Sequence, residues 1–308
     1  MGFLRQLGKS VERTIRLAKV NVLLRRRYGT RWPNTVQYPD ADFALTINPQ
    51  DWRAIKKIAF DFARGRIDRN IQYWRDFVNH NVPAVCLDIG TNYGECLYAL
   101  EYDAATDVIA VEANTRLIPC LNKSRDAHPS RDQIVIHNVA AADSNKDSIP
   151  LFINTGWSGG TTALDKGGDD ANTETIHVPQ RMIDDLVPEQ RAAAGPVIFK
   201  LDVEGYEPFV LKGMRKTIAA APLMIGYIEV DTDFLSAAGV SLDALGELLH
   251  DFDLYWPIDK RSKRLRQVGS LSDLQNILGD DFHTDVIVVK GGNAERSWLP
   301  SPWTVAAA

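Results

Sequence analysis

From residue 84 onward the chain alternates between short runs of consecutive apolar residues and longer stretches whose apolar positions fall three and four apart. The runs are Ala84–Asp88, Asp107–Val111, Gln133–His137, Pro196–Asp202, Leu223–Val230, Asp253–Trp256 and Asp285–Val289. Several are continuous and β-branched, as strands buried on both faces must be. Glu207–Ala220 and Ser241–Leu249 carry the helical spacing. The alternation predicts an α/β fold with a mostly parallel seven-stranded sheet and helices on both faces. Two more strand-like pieces, Ser148–Ile153 and Thr175–Val178, lie in an insert with a glycine- and threonine-rich stretch from Thr155 to Thr162.

Upstream, Leu4, Leu7, Val11, Ile15, Ala18 and Val22 form a single stripe at helical spacing, with Arg5, Lys9, Arg13, Arg16 and Lys19 beside it. This predicts a basic amphipathic helix as an N-terminal extension. It serves either as an anchor for an acidic membrane or polyanion, or as a helix packed on the body with its basic face in water. Asn48-Pro49-Gln50-Asp51 marks a helix start, and one or two helices follow from Trp52 to Asn79 with Gly65 as the break. The organisation expected is a basic arm and linker over 1–50, a helical lead-in over 51–80, the α/β domain over 81–292 and a tail over 293–308.

Composition alters this picture little. The 308 residues are 45% apolar and 24% charged, ordinary for a globular protein, and the net charge of −5 does not suit a nucleic-acid binder. The charge is uneven: up to Arg31 the chain holds nine lysines and arginines against Glu12 alone. Three cysteines without a paired spacing make neither a disulfide framework nor a zinc site. With no membrane-length apolar run, the expectation is a cytoplasmic protein, with residues 1–31 touching the inner membrane surface in the anchor reading.

The first strand runs into Asp88-Ile89-Gly90-Thr91-Asn92-Tyr93-Gly94, followed by an apolar helical pattern. A dinucleotide loop would have a third glycine and no acid, because a pyrophosphate brings negative charge. Asp88 suits a cationic ligand, such as the sulfonium and ammonium of S-adenosylmethionine. The second strand ends in Glu112-Ala113-Asn114, where a carboxylate can accept both ribose hydroxyls. The third leads into the turn from Asn138 to Asp143, which should reach an adenine edge: Asn138 or a backbone group could bond the ring and Asp143 its amine. The fourth ends in Lys200-Leu201-Asp202-Val203-Glu204-Gly205-Tyr206-Glu207, and the fifth in Glu229-Val230-Asp231. These acids converge on one sheet edge, which is costly unless they bind a cation, share protons or do chemistry.

These motifs, above all the stretch from Lys200 to Glu207 with Val210-Leu211-Lys212-Gly213, resemble the FkbM family of methyltransferases over roughly residues 82 to 290. The resemblance implies a Rossmann-like class I methyltransferase using S-adenosylmethionine and O-methylating a sugar or other natural-product hydroxyl. It implies Asp88, Gly90, Asn92 and Gly94 around the methionine part and Glu112 on the ribose, with Asp202 at the transfer site. Thr91 and Ala113 stand where the family often has Ala and Pro; they leave the cofactor loops intact.

A sugar hydroxyl is a weak acid and needs a base or a metal. Asp202, Glu204 and Glu229 are the candidate bases. Alternatively, Asp202 with Glu229 or Asp231 would hold Mg²⁺, which would lower the hydroxyl pKa. Glu207 is expected to cap a helix, Lys200 to pair with a carboxylate, and Trp157 and Ser158 to cover the acceptor. Rival readings are an NAD-type oxidoreductase, opposed by Asp88 and the missing glycine, and a non-catalytic nucleotide-binding partner protein.

Overall fold

The computed structural model describes residues 18–165, 172–258, 263–293 and 295–306. Helix α1 covers residues 18–28. A small hairpin follows, β1 (Thr35–Gln37) and β2 (Ala44–Thr46). Helix α2 spans 52–63, with Ala54–Ala59 wound as a π-helix, and α3 is Arg69–Asn81. Gly65, at φ +70°, divides the two as expected. Then come β3 (Val85–Ile89), β4 (Asp107–Val111), α4 (Ile118–Asp126) and β5 (Ile134–His137). The insert holds β6 (Ala140–Ala141), β7 (Lys146–Asn154) and β8 (Thr173–Arg181) in a three-stranded sheet of its own. The chain then runs through α5 (Glu189–Ala192), β9 (Val197–Leu201), α6 (Glu207–Lys212), α7 (Arg215–Ala220), β10 (Met224–Asp231), α8 (Thr232–Ala237) and α9 (Leu242–Leu248). It closes with β11 (Asp253–Pro257), β12 (Arg264–Val268), α10 (Ser272–Leu278), β13 (His283–Lys290) and β14 (Thr304–Val305).

The main sheet has nine strands, in the order β14-β12-β11-β13-β10-β9-β3-β4-β5. The five from β10 to β5 are parallel, and β13 enters antiparallel between β10 and β11. All seven expected strands lie here, but the expectation of a mostly parallel seven-stranded sheet is corrected to a mixed nine-stranded one. The two additional strands sit at one edge, where half-exposed, charged β12 lacks the apolar run of a central strand. The chain passes from β3 outward to β4 and β5, then returns to β9 on the other side of β3. This makes a topological switch point between β3 and β9, and ligands of open α/β sheets bind at that crevice. The arrangement is Rossmann-like.

Successive strand residues face opposite cores. Cys86, Val108, Ala110, Ile198 and Tyr227 pack under α1 to α4 and the C-terminal segment. Leu87, Ile109, Val111, Phe199 and Ile228 pack under α5 to α10. Residues after 292, expected as a tail, include Trp298 and Trp303, which are 2% and 6% exposed. Trp298 stacks on Phe77 of α3 at 6.1 Å and meets Tyr255 at 5.1 Å.

Three local expectations change. The segment after Gly94 forms turns rather than a helix. Its carbonyls are claimed by tyrosines: Tyr38 Oη donates to Glu95 O at 2.6 Å and Tyr102 Oη to Leu97 O at 2.7 Å. The helix expected over Glu207–Ala220 breaks at Gly213, where a Cβ would lie 1.9 Å from Ala142 O. In α1 the buried positions are Val20 and Leu24, whereas Val22 of the expected stripe is 68% exposed. The rest of the amphipathic pattern, up to residue 17, lies outside the described residues. Among the described residues no helix is long and apolar enough to cross a membrane.

If the C-terminal tryptophans are core, Trp298→Ala should lower stability by about 3–5 kcal/mol. A clear drop in the urea midpoint checks this; an unchanged midpoint would show the segment to be dispensable.

Candidate active site at the switch point

A cavity of about 630 Å³ opens at the C-terminal edge of β3, β4, β9 and β10. Its floor is Asp88, at the end of β3 and 1% exposed. Among the described residues neither of its carboxylate oxygens has a hydrogen-bond donor; Lys200 Nζ faces it at 3.6 Å. Burial lifts its pKa from 3.8 to about 6, against the pull of Lys200. Lys200, on the adjacent β9, pairs with Asp202 at 3.1 Å and donates to Gly90 O at 2.9 Å. One ammonium thus joins both loops of the crevice. Gly90 is needed for that approach: its φ is +80°, and a Cβ there would sit 1.7 Å from Asp202 O.

The Gly90–Gly94 loop is fixed from within. Thr91 Oγ1 donates to Asp88 O at 2.6 Å. Asn92, at φ +53°, turns its N–H to Glu112 Oε2 at 2.7 Å, and Asn114 N–H meets Glu112 Oε1 at 2.7 Å. Glu112 is buried; desolvation lifts its pKa to about 7 although these N–H bonds oppose it. Asp88, Gly90, Thr91, Asn92, Glu112 and Ala113 all line the cavity.

Asn138, Asp143 and Gly94 do not line it. The Asn138 amide donates to Glu112 O and Ala113 O, at 2.8 and 3.1 Å, so it shapes the β4 loop from behind. Asp143 is exposed and accepts from Ser144. Val139, Ala140 and Ala141 contribute that wall instead. Gly94 acts in packing, since a Cβ would lie 2.4 Å from the Tyr98 ring.

On the far side, Asp202, Glu204 and Glu229 bring carboxylate oxygens within 4.8 Å of one another. Burial alone would raise Asp202, but Lys200 and then Arg53 overcome it and hold its carboxyl below the usual range. Burial and the negative Asp202 raise Glu229 to about 7. His283, at the start of β13, donates from Nε2 to Glu229 at 2.8 Å and pairs through Nδ1 with Asp231 at 3.2 Å. The Glu229 bond, above all, raises the imidazole pKa to about 9. Glu207, expected to cap a helix, instead accepts the N–H groups of Val203 and Gly205 in the loop that precedes α6.

Of the expected metal residues, Asp202 and Glu229 come together and Asp231 does not. Asp231 spends one oxygen capping α8, accepting from Asp233 N and Phe234 N, and the other on His283. The three carboxylates that do cluster already have Lys200 on Asp202 and His283 on Glu229, so a divalent ion would meet compensated charges. These residues do not fit a built Mg²⁺ site.

Four residues that line or brace the cavity escaped sequence reasoning. Arg53, Arg69, His283 and Asp285 line it, and all come from outside the motif-bearing strands. Arg69 pairs with Asp285 across 216 residues of chain. Only the strand pairing of His283 with Asp231 could have flagged the histidine. Trp157 and Ser158 of the insert line the cavity.

An orphaned carboxylate should cost the empty protein stability. The folded pKa of Asp88, about 6, exceeds its ordinary 3.8. Its contribution is therefore fully present below about 3.8 and lost as pH rises through about 6. Asp88→Asn should stabilise the ligand-free protein by about 1–3 kcal/mol at pH 8 and by about half as much at pH 5. Melting both proteins at the two pH values tests this; equal melting at pH 8 would refute it.

A methyltransferase FkbM from Methylobacillus flagellatus KT aligns at 12% identity and a TM-score of 0.40, over 89% of this chain and 59% of its own. A SAM-dependent methyltransferase from Aquifex aeolicus gives 11% and 0.37, over 78% and 94% of the two chains. An O-methyltransferase from Bacillus cereus, in complex with SAH, gives 9% and 0.37, over 71% and 78%. No curated protein matches the chain. The model of the methyltransferase FkbM domain matches residues 88–253, from the floor carboxylate of the cavity to the first residue of β11. With over half its length matched, and the cavity's Asp88–Gly94, Glu112 and Lys200–Glu207 loops inside that match, the chain belongs to the FkbM methyltransferase family.

Proposed function

We propose that this methyltransferase uses S-adenosylmethionine to methylate a hydroxyl oxygen on a sugar or other natural-product acceptor. The observation that carries the donor is Asp88, a buried carboxylate with no hydrogen-bond donor on either oxygen, opening on the cavity. A carboxylate left so is stabilised when a ligand ammonium reaches it. Glu112 keeps lone pairs free beside its two N–H bonds for ribose hydroxyls. The bound donor supplies an electrophilic methyl on a positively charged sulfur.

The acceptor oxygen must lose a proton as it attacks. Glu229, half-buried and poised near neutrality beside Asp202, is the base this site favours. Asp202, kept ionised by Lys200, holds negative charge next to it and raises its affinity for a proton. His283, 58% exposed, gives the accepted proton a contact with water. Trp157 offers an apolar face on which a sugar ring can lie. No step requires a metal in this scheme.

Calorimetric titration with S-adenosylhomocysteine tests the donor site. Glu112→Ala should weaken binding about 10- to 100-fold, the loss of one or two hydrogen bonds to a charged group. No binding by folded wild type would end the methyl-donor reading. Glu229→Gln should lower kcat about 10²- to 10⁴-fold on a hydroxylated saccharide that wild type methylates, with donor affinity kept. EDTA should leave that turnover unchanged; a loss restored by Mg²⁺ would reverse the metal-free scheme.

A further inference from the structure

We propose that Arg53, in the lead-in and outside the family-matched segment, binds the α-carboxylate of the methyl donor; this rests on the donor reading above. A methionine-type ligand end is a zwitterion, so beside the carboxylate that takes its ammonium there must be a cation for its own carboxylate. The cavity wall offers five basic side chains besides His283. Lys200 is committed to Asp202, Asp88 and Gly90 O; Arg69 pairs with Asp285 through Nη2 and, among the described residues, keeps its Nε without a partner, but it belongs to α3 and has no hydrogen bond to the loop that rises from Asp88. Lys57 and Arg66 are exposed and flank Asp61.

Arg53 differs in placement, and it keeps spare N–H groups although it is ion-paired with Glu95. Its Nη1 donates to Asn92 Oδ1 at 3.1 Å, on the same loop that rises from Asp88, and to Glu95 Oε1 at 2.5 Å. Nε and Nη2, with three N–H groups between them, have no acceptor among the described residues. The guanidinium stem passes the insert at Gly159, where a Cβ would come within 3.0 Å of Arg53 Cδ and Nε. Asp51 sets the start of this arm. Its Oδ1 accepts from Arg53 N and Ser158 N, and its Oδ2 from Tyr93 Oη at 3.0 Å. Lead-in, cofactor loop and insert are thereby tied together where the guanidinium enters. A planar guanidinium with free N–H groups is the side chain best shaped for a carboxylate.

Titration of wild type, Arg53→Met and Arg53→Lys with S-adenosylmethionine and with its decarboxylated analogue tests the assignment. The two ligands share the sulfonium, the amine and the nucleoside. Wild type should prefer S-adenosylmethionine about 10- to 100-fold, the worth of charged hydrogen bonds. In Arg53→Met the preference should fall towards one while the analogue still binds within about threefold of wild type. Arg53→Lys, which keeps the charge, should retain part of the preference and covers the case in which Met disturbs the fold. An undiminished preference in Arg53→Met, or equal weakening of both ligands, would overturn the proposal and leave Arg53 a fastener of the loop. Wild type that binds neither ligand would instead overturn the donor reading itself.

Discussion

The Lys200 ammonium holds the site together. It reaches Asp202 on its own strand end, faces Asp88 across the β3–β9 pairing and bonds the Gly90 carbonyl. It is nearly buried, so its charge is tolerable only because two carboxylates surround it. Their combined field raises its affinity for a proton well above the ordinary, despite desolvation. A single cation shared by two loops fixes the crevice width and still leaves Asp88 without a hydrogen-bond donor. The same ion pair that organises the crevice thus keeps one anion available to a ligand.

Around that centre the acids divide by their partners. Glu207 is satisfied by two backbone N–H groups and is structural. Asp231 is consumed by the start of α8 and by His283. Glu229 lies between a negative neighbour, Asp202, and a positive one, His283, and this balance brings its pKa near 7. Residues of one chemical type in one short stretch of sheet edge acquire three roles, set by neighbours on other strands.

The regions flanking the matched segment complete the enclosure. Helix α2 supplies Arg53, α3 supplies Arg69, and β13 supplies His283 and Asp285. The C-terminal tryptophans hold α3 against the sheet through Phe77 and Tyr73. Part of the cavity wall is therefore built by segments that bear no recognisable motif.

The sequence by itself determined the central strands, their α/β order and the loops at Asp88–Gly94, Glu112 and Lys200–Glu207. These signals are local: continuous apolar runs require burial on both faces, and glycines mark where backbone must approach backbone. It misplaced Asn138 and Asp143, because a polar residue near a cavity edge can as well point behind the loop as into the cavity. The edge strands β12 and β14, the turns after Gly94, the burial of Trp298 and the offset face of α1 were illegible for a related reason. Each depends on a partner distant in sequence, as Tyr38 is from Glu95. Only the tertiary structure decided which carboxylates meet, that Lys200 neutralises one and His283 another, and that Arg53 enters the cavity from the lead-in. Charge and hydrogen bonding act through space at a few ångströms, and the chain separates those partners by up to hundreds of residues.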